Sequence, residues 1–428
     1  MAMRYAAAAG VGAAAISAAA SVLDAAAPAW PFGWRVAVAG ATVFAVASHV
    51  LRRWPALLHG PRALHPALAA DGDEGADDGG RDVAEAKGEP VHRATNQIAR
   101  VRTIAHRGGR EERPENTLAS FRHAIELGSD LIEMDVRLTK DGRVVIAHDD
   151  TFARMCGDGS GRAVEDYAYA ELPRVRLPTP DEHRQGYLAS RAPQDAPDGR
   201  AEPRGGDDAF CKVPLLDEVL DLVTAAGAPP RVCLIVEFKQ AAAHPSLAPL
   251  IDAVHAKLAA RGLWRGRAFW FSLKEPVQRL LRAKDARIAT ITSVPRMLAL
   301  LLGHHAGVLP FLPHPREAAY GFPLDRVDFR RARHNSALRA WPDWVLRLLV
   351  PLFNRFLFAP GLCAHLRARG MHVMALGVND ERTLADACAL GCTAVLTDRP
   401  RWLIGLLKAH GGRGGKYRLC TLCGESDC

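Results

Sequence analysis

Between His106 and Asp149 the chain carries His106-Arg107, Glu115-Asn116, Glu133-Met134-Asp135 and His148-Asp149, a density of imidazoles and carboxylates suited to chemistry on a phosphodiester. Glu133 and Asp135 stand at i and i+2, so on a strand they share one face while Met134 points the other way. Two carboxylates held side by side repel unless a cation lies between them. Hard divalent ions take such oxygen ligands, and magnesium commonly combines one or two carboxylates with substrate phosphate. His106 and His148 are the candidate acid and base, because imidazole can both take and give a proton near neutrality. A lone histidine in a sheet is more often structural. Two of them at the ends of apolar runs, beside paired acids, favour catalysis.

Each of these residues needs an element to hold it. Val101-Arg-Thr-Ile-Ala105 is a short run that delivers His106 at its end, as a buried strand delivers a catalytic residue to a barrel rim. Leu131 to Asp135 reads as a second strand, Lys140-Asp141-Gly142 as a turn, and Arg143 to Ala147 as the run that brings in His148. After Thr117 the apolar positions Leu118, Phe121, Ala124 and Ile125 follow helical spacing, with Asn116 or Thr117 able to cap the helix. Further strands are expected at 232–238, 268–272, 287–291, 372–376 and 394–396. The first of them ends on Glu237 and, two residues on, Lys239; a buried ion pair between them is the alternative to a role in the site. Strands alternating with helical segments from Val101 to about His410 argue for a parallel sheet closed by crossovers. The expected fold class is therefore α/β, a (β/α)8 TIM barrel, which alone takes roughly 250 residues. A chain of 428 residues fits one barrel with additions better than two domains.

Taken in order, His106-Arg107-Gly108, Pro114-Glu115-Asn116-Thr117, Glu133-Met134-Asp135, Lys140-Asp141-Gly142 and His148-Asp149 resemble the hallmark of the glycerophosphodiester phosphodiesterase family. No one element is decisive, but their joint order and spacing are highly specific. With this resemblance, Glu133, Asp135 and Glu237 are the expected ligands of one divalent cation, Mg2+ or Ca2+, whose identity the oxygen donors leave open. Arg107 would hold the phosphate through its planar fork and Lys239 as a point charge. The family places Glu115 in the active-site network, whereas Asn116 is either a substrate-site residue or only a helix cap. Asp398, in Thr397-Asp398-Arg399-Pro400 after the last strand, is open between a helix-start and a catalytic role. The resemblance also implies attack by the substrate's own glycerol hydroxyl, giving a cyclic phosphate that water then opens. Lyso lipids would then be preferred over diacyl lipids.

Trp54-Pro-Ala-Leu-Leu-His59 is similar to the motif that ends the hydrophobic segment in one branch of the family, the membrane-anchored lysophospholipase D enzymes. Val213 to Val219, Gly307 to Pro313 and Asn379-Asp380-Glu381 look like the same branch. One position departs from it: family members usually carry a tryptophan three residues before this asparagine, and here Leu376 removes that aromatic wall. The implied function is hydrolysis of lysophospholipids to lysophosphatidic acid and an alcohol head group. Hydrolysis of soluble glycerophosphodiesters to glycerol 3-phosphate, and a non-catalytic phospholipid-binding barrel, are the alternatives.

The flanks read separately. Residues 1–60 form a hydrophobic N-terminal region; Val36 to Leu51, counted back through Trp30 to Trp34 with Arg35 snorkelling, reaches the roughly 20 residues a bilayer core needs. A transmembrane anchor is expected there, with a cleaved signal or transit peptide as the rival for the Ala-rich start. The expected location is a single-pass membrane protein, with the endoplasmic reticulum as candidate compartment. Residues 61–98 read as an acidic flexible linker, 99–410 as the barrel, 172–210 within it as a disordered insertion, and 411–428 as a Cys-containing tail. In that tail Cys420, Cys423 and Cys428 with His410 have the donors for zinc, although the glycines from 411 to 415 favour disorder. The nine cysteines are odd in number and mostly isolated, which excludes a disulfide framework. A net charge of +8 suits an anionic membrane or ligand, but the interleaved acids and bases do not form a nucleic-acid footprint. Two apolar tracts, Met297 to Leu302 and Trp344 to Phe358, are either core helices or lipid-contacting ones.

Overall fold

The computed structural model describes residues 32–53, 55, 101–176, 211–225, 232–240, 244–263, 266–313, 315–324 and 343–410. The Ala-rich start, most of the Trp54 to His59 motif, the linker, most of the insertion and the Cys-containing tail lie outside the described residues. Residues 172–176 of the expected insertion are described and packed: Val175 is buried and its N–H donates to the Cys211 carbonyl at 2.7 Å. Val175 and Leu172 join Phe152, Met155, Tyr167 and Val213 in one apolar cluster, so chain order outlasts the point where polar composition begins.

The first elements are α1 (Phe32–Arg53), β1 (Arg102–Ala105), α2 (Leu118–Leu127), β2 (Leu131–Leu138), β3 (Val144–Ile146) and α3 (Ala153–Cys156). Next come α4 (Leu216–Thr224), β4 (Cys233–Phe238), α5 (Leu247–Ala260), β5 (Ala268–Phe271), α6 (Glu275–Lys284), β6 (Ala289–Thr290) and α7 (Val294–His305). The series ends with β7 (Ala319–Pro323), α8 (Asp343–Leu357), α9 (Pro360–Ala368), β8 (His372–Leu376), α10 (Glu381–Ala389), β9 (Ala394–Thr397) and α11 (Pro400–His410). The sheet order is β6-β5-β4-β2-β1-β9-β8-β7, with β3 antiparallel to β2 off this path. Parallel pairing of β1 with β2 and β9, of β4 with β2 and β5, and of strand–helix alternation throughout gives the (β/α)8 barrel. Between the two ends of the order, Thr292 Oγ1 accepts from the Gly321 N–H at 3.0 Å. A side chain at 321 would not fit, since its Cβ would meet Ile291 Cγ2 at 2.9 Å.

The chain packs as two compact units. The larger comprises the described residues within 65–293, 321–325 and 374–428 and holds the site residues. In it, every residue of β2 is buried, and the strand alternates as the sequence pattern requires. Ile132, Met134, Val136 and Leu138 pack with Phe121, Ala124 and Ile125 of α2 and with Leu216, Val219 and Leu220 of α4. Each such apolar side chain contributes about 1.5–3 kcal/mol, and this core fixes the opposite face, which carries Glu133, Asp135 and Arg137. Thr117, not Asn116, caps α2: its Oγ1 accepts from the Ser120 N–H at 3.2 Å, and Ser120 Oγ returns the contact to the Thr117 N–H. The expected strands all form, with ends within three residues of expectation: β2 and β9 run longer, β8 matches, and the others are shorter. β7 was not legible, because Ala-Tyr-Gly-Phe-Pro lacks β-branched residues and contains both glycine and proline.

The second unit, the described residues within 1–64, 294–320 and 326–373, contains α1, α7, α8 and α9. Within it α1 is docked along one side: Ala39 is fully buried, Ser48 Oγ donates to the Gly307 carbonyl at 2.6 Å, and the Phe44 and Phe311 rings stack with centroids 5.6 Å apart. Ala37–Arg52 is an apolar helix, and Asp343–Ala368 is long and apolar enough to cross a membrane by length and composition. Cys211, Cys233, Cys363 and Cys392 are buried thiols, packed as small apolar side chains.

Candidate active site

The site is built at the C-terminal ends of the barrel strands. β1 ends at Ala105, and its register with β9 pairs Ala105 with Thr397, which brings the next residues, His106 and Asp398, side by side. His106 Nδ1 lies 2.6 Å from Asp398 Oδ1, and its Nε2 lies 3.9 Å from Glu133 Oε2. Asp398 also accepts from Arg110 Nε at 2.7 Å, Arg110 Nη2 at 2.9 Å and Asn379 Nδ2 at 2.8 Å. Burial alone would push the Asp398 carboxyl up, but His106 and Arg110 overcome it and hold the group well below the usual carboxylate range. This carboxylate is a constraint on His106 rather than a helix cap.

After His106 the chain turns in a left-handed conformation at Arg107 (φ 51°) and Gly108 (φ 81°). A Cβ at 108 would collide with Ser120, backbone included, so only glycine allows this approach of turn to helix. The turn aims the Arg107 N–H at Glu133 Oε2, 2.9 Å away, and its guanidinium at Glu115 Oε1 (3.0 Å) and Asp135 Oδ2 (3.3 Å). Desolvation opposes the Arg107 charge, yet Asp135, Glu115 and Glu133 outweigh it and hold its pKa above the ordinary value. Asn116, also left-handed at φ 56°, donates its backbone N–H to the Arg107 carbonyl at 3.0 Å and its side-chain Nδ2 to Asp135 Oδ2 at 2.8 Å. It thus belongs to the polar cluster.

Glu133 and Asp135 share a face of β2, and the β2–β4 register pairs Asp135 directly with Glu237. Carboxylate oxygens of Glu133, Asp135 and Glu237 lie within 4.8 Å of one another. Lys239, one residue beyond β4, places Nζ 2.7 Å from Glu237 Oε1 and 3.0 Å from Asp135 Oδ1. Burial, together with the charges of Asp135 and Glu237, raises the Glu133 pKa well above the ordinary carboxyl value. Burial likewise raises Glu237, against the pull of Lys239. Asp135 goes the other way: burial would raise it, but Lys239 and Arg107 hold it low. Glu133 Oε1 is buried without a hydrogen-bond partner. An all-oxygen donor set with such an orphaned atom fits a hard divalent cation.

β3 runs back along β2 and returns the chain to the rim, where the Ala147 N–H donates to the Asp135 carbonyl at 2.9 Å. His148 follows, with Nδ1 2.6 Å from Asp149 Oδ1. Asp149 is held by Arg154 Nε at 2.7 Å, and Arg154 reaches both oxygens of Glu115, at 2.6 and 3.0 Å. The hydrogen bond from His148, with Arg154, holds Asp149 below the usual carboxylate range despite desolvation. A cavity of about 580 Å³ is lined by His148, Glu237, Lys239, Arg137, Ser272 and Lys274, among others.

All nine residues expected from the sequence, His106, Arg107, Glu115, Asn116, Glu133, Asp135, His148, Glu237 and Lys239, meet in this network. Arg110, Arg154 and the orienting part of Asn379 were not anticipated. Asn379 and Asp149 stood inside motifs already noted, whereas the two arginines have no spacing that marks them.

Residues 106–276 match the glycerophosphoryl diester phosphodiesterase family. The chain is 28% identical over 310 residues to lysophospholipase D GDPD1 of Homo sapiens, covering 72% of this chain and 87% of that protein. It is 26% identical over 322 residues to lysophospholipase D GDPD3 of Homo sapiens, covering 75% and 89%. Among solved structures, a glycerophosphodiester phosphodiesterase from Agrobacterium tumefaciens aligns with a TM-score of 0.46 and 20% identity, covering 71% of this chain and 99% of that one. The matched segment, 106–276, supplies both histidines, Arg107 and all three clustered carboxylates, so the chain carries a glycerophosphoryl diester phosphodiesterase family domain.

Proposed function

We propose that this chain is a divalent-cation-dependent lysophospholipase D, releasing lysophosphatidic acid and an alcohol head group from lysophospholipids. The observation that carries the reading is the pair of imidazoles, each held at Nδ1 by an aspartate at 2.6 Å, beside the carboxylates of Glu133, Asp135 and Glu237. An imidazole fixed at Nδ1 presents Nε2 for proton transfer. One histidine takes the proton of the substrate's free glycerol hydroxyl as its oxygen bonds to phosphorus. The other gives a proton to the head-group oxygen as that P–O bond breaks. Water then opens the cyclic phosphate, with the two roles reversed. Arg107 and Lys239 hold the phosphoryl oxygens, while Glu115 and Asn116 orient Arg107 and Asp135. A cation bound by Glu133, Asp135 and Glu237, Mg2+ or Ca2+, would supply neutralisation of charge on the phosphoryl group.

Support for a lipid over a soluble diester comes from the apolar α1, read as a single-pass anchor in the endoplasmic reticulum, and from the named activity of the relatives. The test is an assay of purified chain on lysophosphatidylcholine, diacyl phosphatidylcholine and glycerophosphocholine, each with magnesium, calcium or chelator. Cation-dependent turnover of the lyso lipid alone, or foremost, is expected. Turnover of glycerophosphocholine alone would replace this reading with the soluble-diester one, and equal turnover of diacyl and lyso lipids would sink the hydroxyl-attack mechanism.

A further inference from the structure

We propose that helix α8 is an interfacial helix that lies on an anionic lipid surface, a membrane contact additional to α1. Of its fifteen residues only Leu346 is buried. Trp344, Leu348 and Leu352, an i, i+4 row, are 69%, 56% and 53% exposed, and the adjacent row adds exposed Leu349 and Phe353. Such a continuous apolar face is more than a helix shows to water when it has no partner there.

Several observations select a lipid surface as that partner. Arg347, at i+3 from Trp344, and Arg355, three turns on from Trp344, are exposed on the same side, and Asp343 is the sole acid of the helix. Apolar rows flanked by arginine, with a tryptophan near one end, match the division between acyl chains and anionic head groups, and the arginine stems let the charges reach the phosphates. The apolar surface continues in the same unit on α7, where Val294, Leu298 and Leu302 form an exposed i, i+4, i+8 row. The His305 ring stacks on Phe356 with centroids 4.3 Å apart, which joins the end of α7 to the end of α8. Rows along helix sides need no shape complementarity from a bilayer, whereas a protein partner would have to supply it.

The helix lies on the surface rather than crossing it. Asp343–Ala368 passes as a span by length and composition, but α9 buries Leu362, Cys363, His365 and Leu366 within its own unit. That leaves the fifteen residues of α8. At 1.5 Å per residue they cover about 22 Å, short of the roughly 30 Å hydrocarbon core.

The experiment uses the full chain bound to vesicles of phosphatidylcholine with phosphatidylserine, with and without brominated acyl chains, and reads lipid contact rather than turnover. Its failure is therefore distinct from failure of the lysophospholipase reading. Bromine should quench a tryptophan component that disappears in Trp344→Phe, and hydrogen exchange across 343–357 should slow on the vesicles. In Leu348→Glu/Leu352→Glu that component should escape quenching, with exchange across the helix faster on the order of tenfold even though α1 keeps the protein bound. Trp344 left unquenched in vesicle-bound protein overturns the proposal. So does equal protection of 343–357 without lipid, which would mean that another segment of the chain, or at higher concentration a second copy, covers the face.

Discussion

The Lys239 ammonium bridges two of the clustered carboxylates, 3.0 Å from Asp135 Oδ1 and 2.7 Å from Glu237 Oε1. Before any cation binds, Lys239 and Arg107 are what make three buried acids tolerable on adjacent strands. Desolvation works against the lysine charge, but Asp135, Glu237 and Glu133 together raise its pKa above the ordinary value. Lys239→Met should therefore destabilise the cation-free protein by about 3–5 kcal/mol, the usual cost of removing one partner from a buried ion pair. Urea denaturation in chelator measures this. Adding magnesium or calcium should recover part of the loss, because a cation can take over the balancing charge. A variant as stable as wild type in chelator would show that the cluster does not need Lys239.

Cation binding should release protons, with a sign set by Glu133 and Glu237. Both carboxyls are raised by burial, so in chelator the folded protein keeps protons that the unfolded chain gives up. Between the unfolded value of about 4.3 and the raised folded values, the contribution of these groups to stability falls as pH rises. Ligation requires the ionised forms, so affinity rises with pH across the same window. Asp135, held low by Lys239 and Arg107, is already ionised there and adds nothing. Calorimetry in buffers of different ionisation enthalpy should find proton release on titration with the cation, and Glu133→Gln should reduce it. Binding that is independent of pH would contradict the cluster as the cation site.

The paired acids on β2 were legible because strand alternation is local: i and i+2 share a face whatever the rest of the fold does. Glu237 needed the family resemblance, since nothing in 233–238 by itself says that β4 lies beside β2 with Asp135 against Glu237. Asp398 stayed open between two roles for the same reason, its partner His106 being 292 residues away. Asn116 divides differently: helix-capping chemistry suggested a cap, but Thr117 takes that place and a left-handed backbone turns Asn116 toward Asp135. In the fold, strand–helix alternation announced the barrel, while β7 escaped notice because its pairing environment, not its composition, makes it a strand.

The ends of the strand order give a stability prediction. Thr292 Oγ1 accepts from the Gly321 N–H at 3.0 Å, and both residues are buried. Thr292→Val keeps the shape but leaves that donor unpaired, at a cost of about 1–3 kcal/mol. Thr292→Ser keeps the hydroxyl and should cost less. Thermal melting of both variants separates the hydrogen bond from packing, and if valine equals wild type the bond contributes nothing to closing this seam.

Asp398 is the sharper test of how the site works, because it touches His106 and none of the clustered carboxylates. Its bonds to His106, Arg110 and Asn379 are charge-assisted, and replacing the acid by an amide in Asp398→Asn should cost about 2 kcal/mol near neutral pH. The carboxyl is held low, so this stabilisation is full above the ordinary carboxyl value of about 3.9 and is lost as pH falls through the lower folded value. The stability gap between wild type and variant should be flat from neutrality down to mild acid and then close. Activity should respond separately: without the carboxylate, nothing fixes the proton on Nδ1 of His106, and kcat should fall by on the order of 10²–10⁴ with KM little changed. A fall in KM-limited binding instead, or a kcat loss restored by refolding stabilisers alone, would make Asp398 a structural residue. A normal kcat in a folded variant would remove His106 orientation from the mechanism altogether.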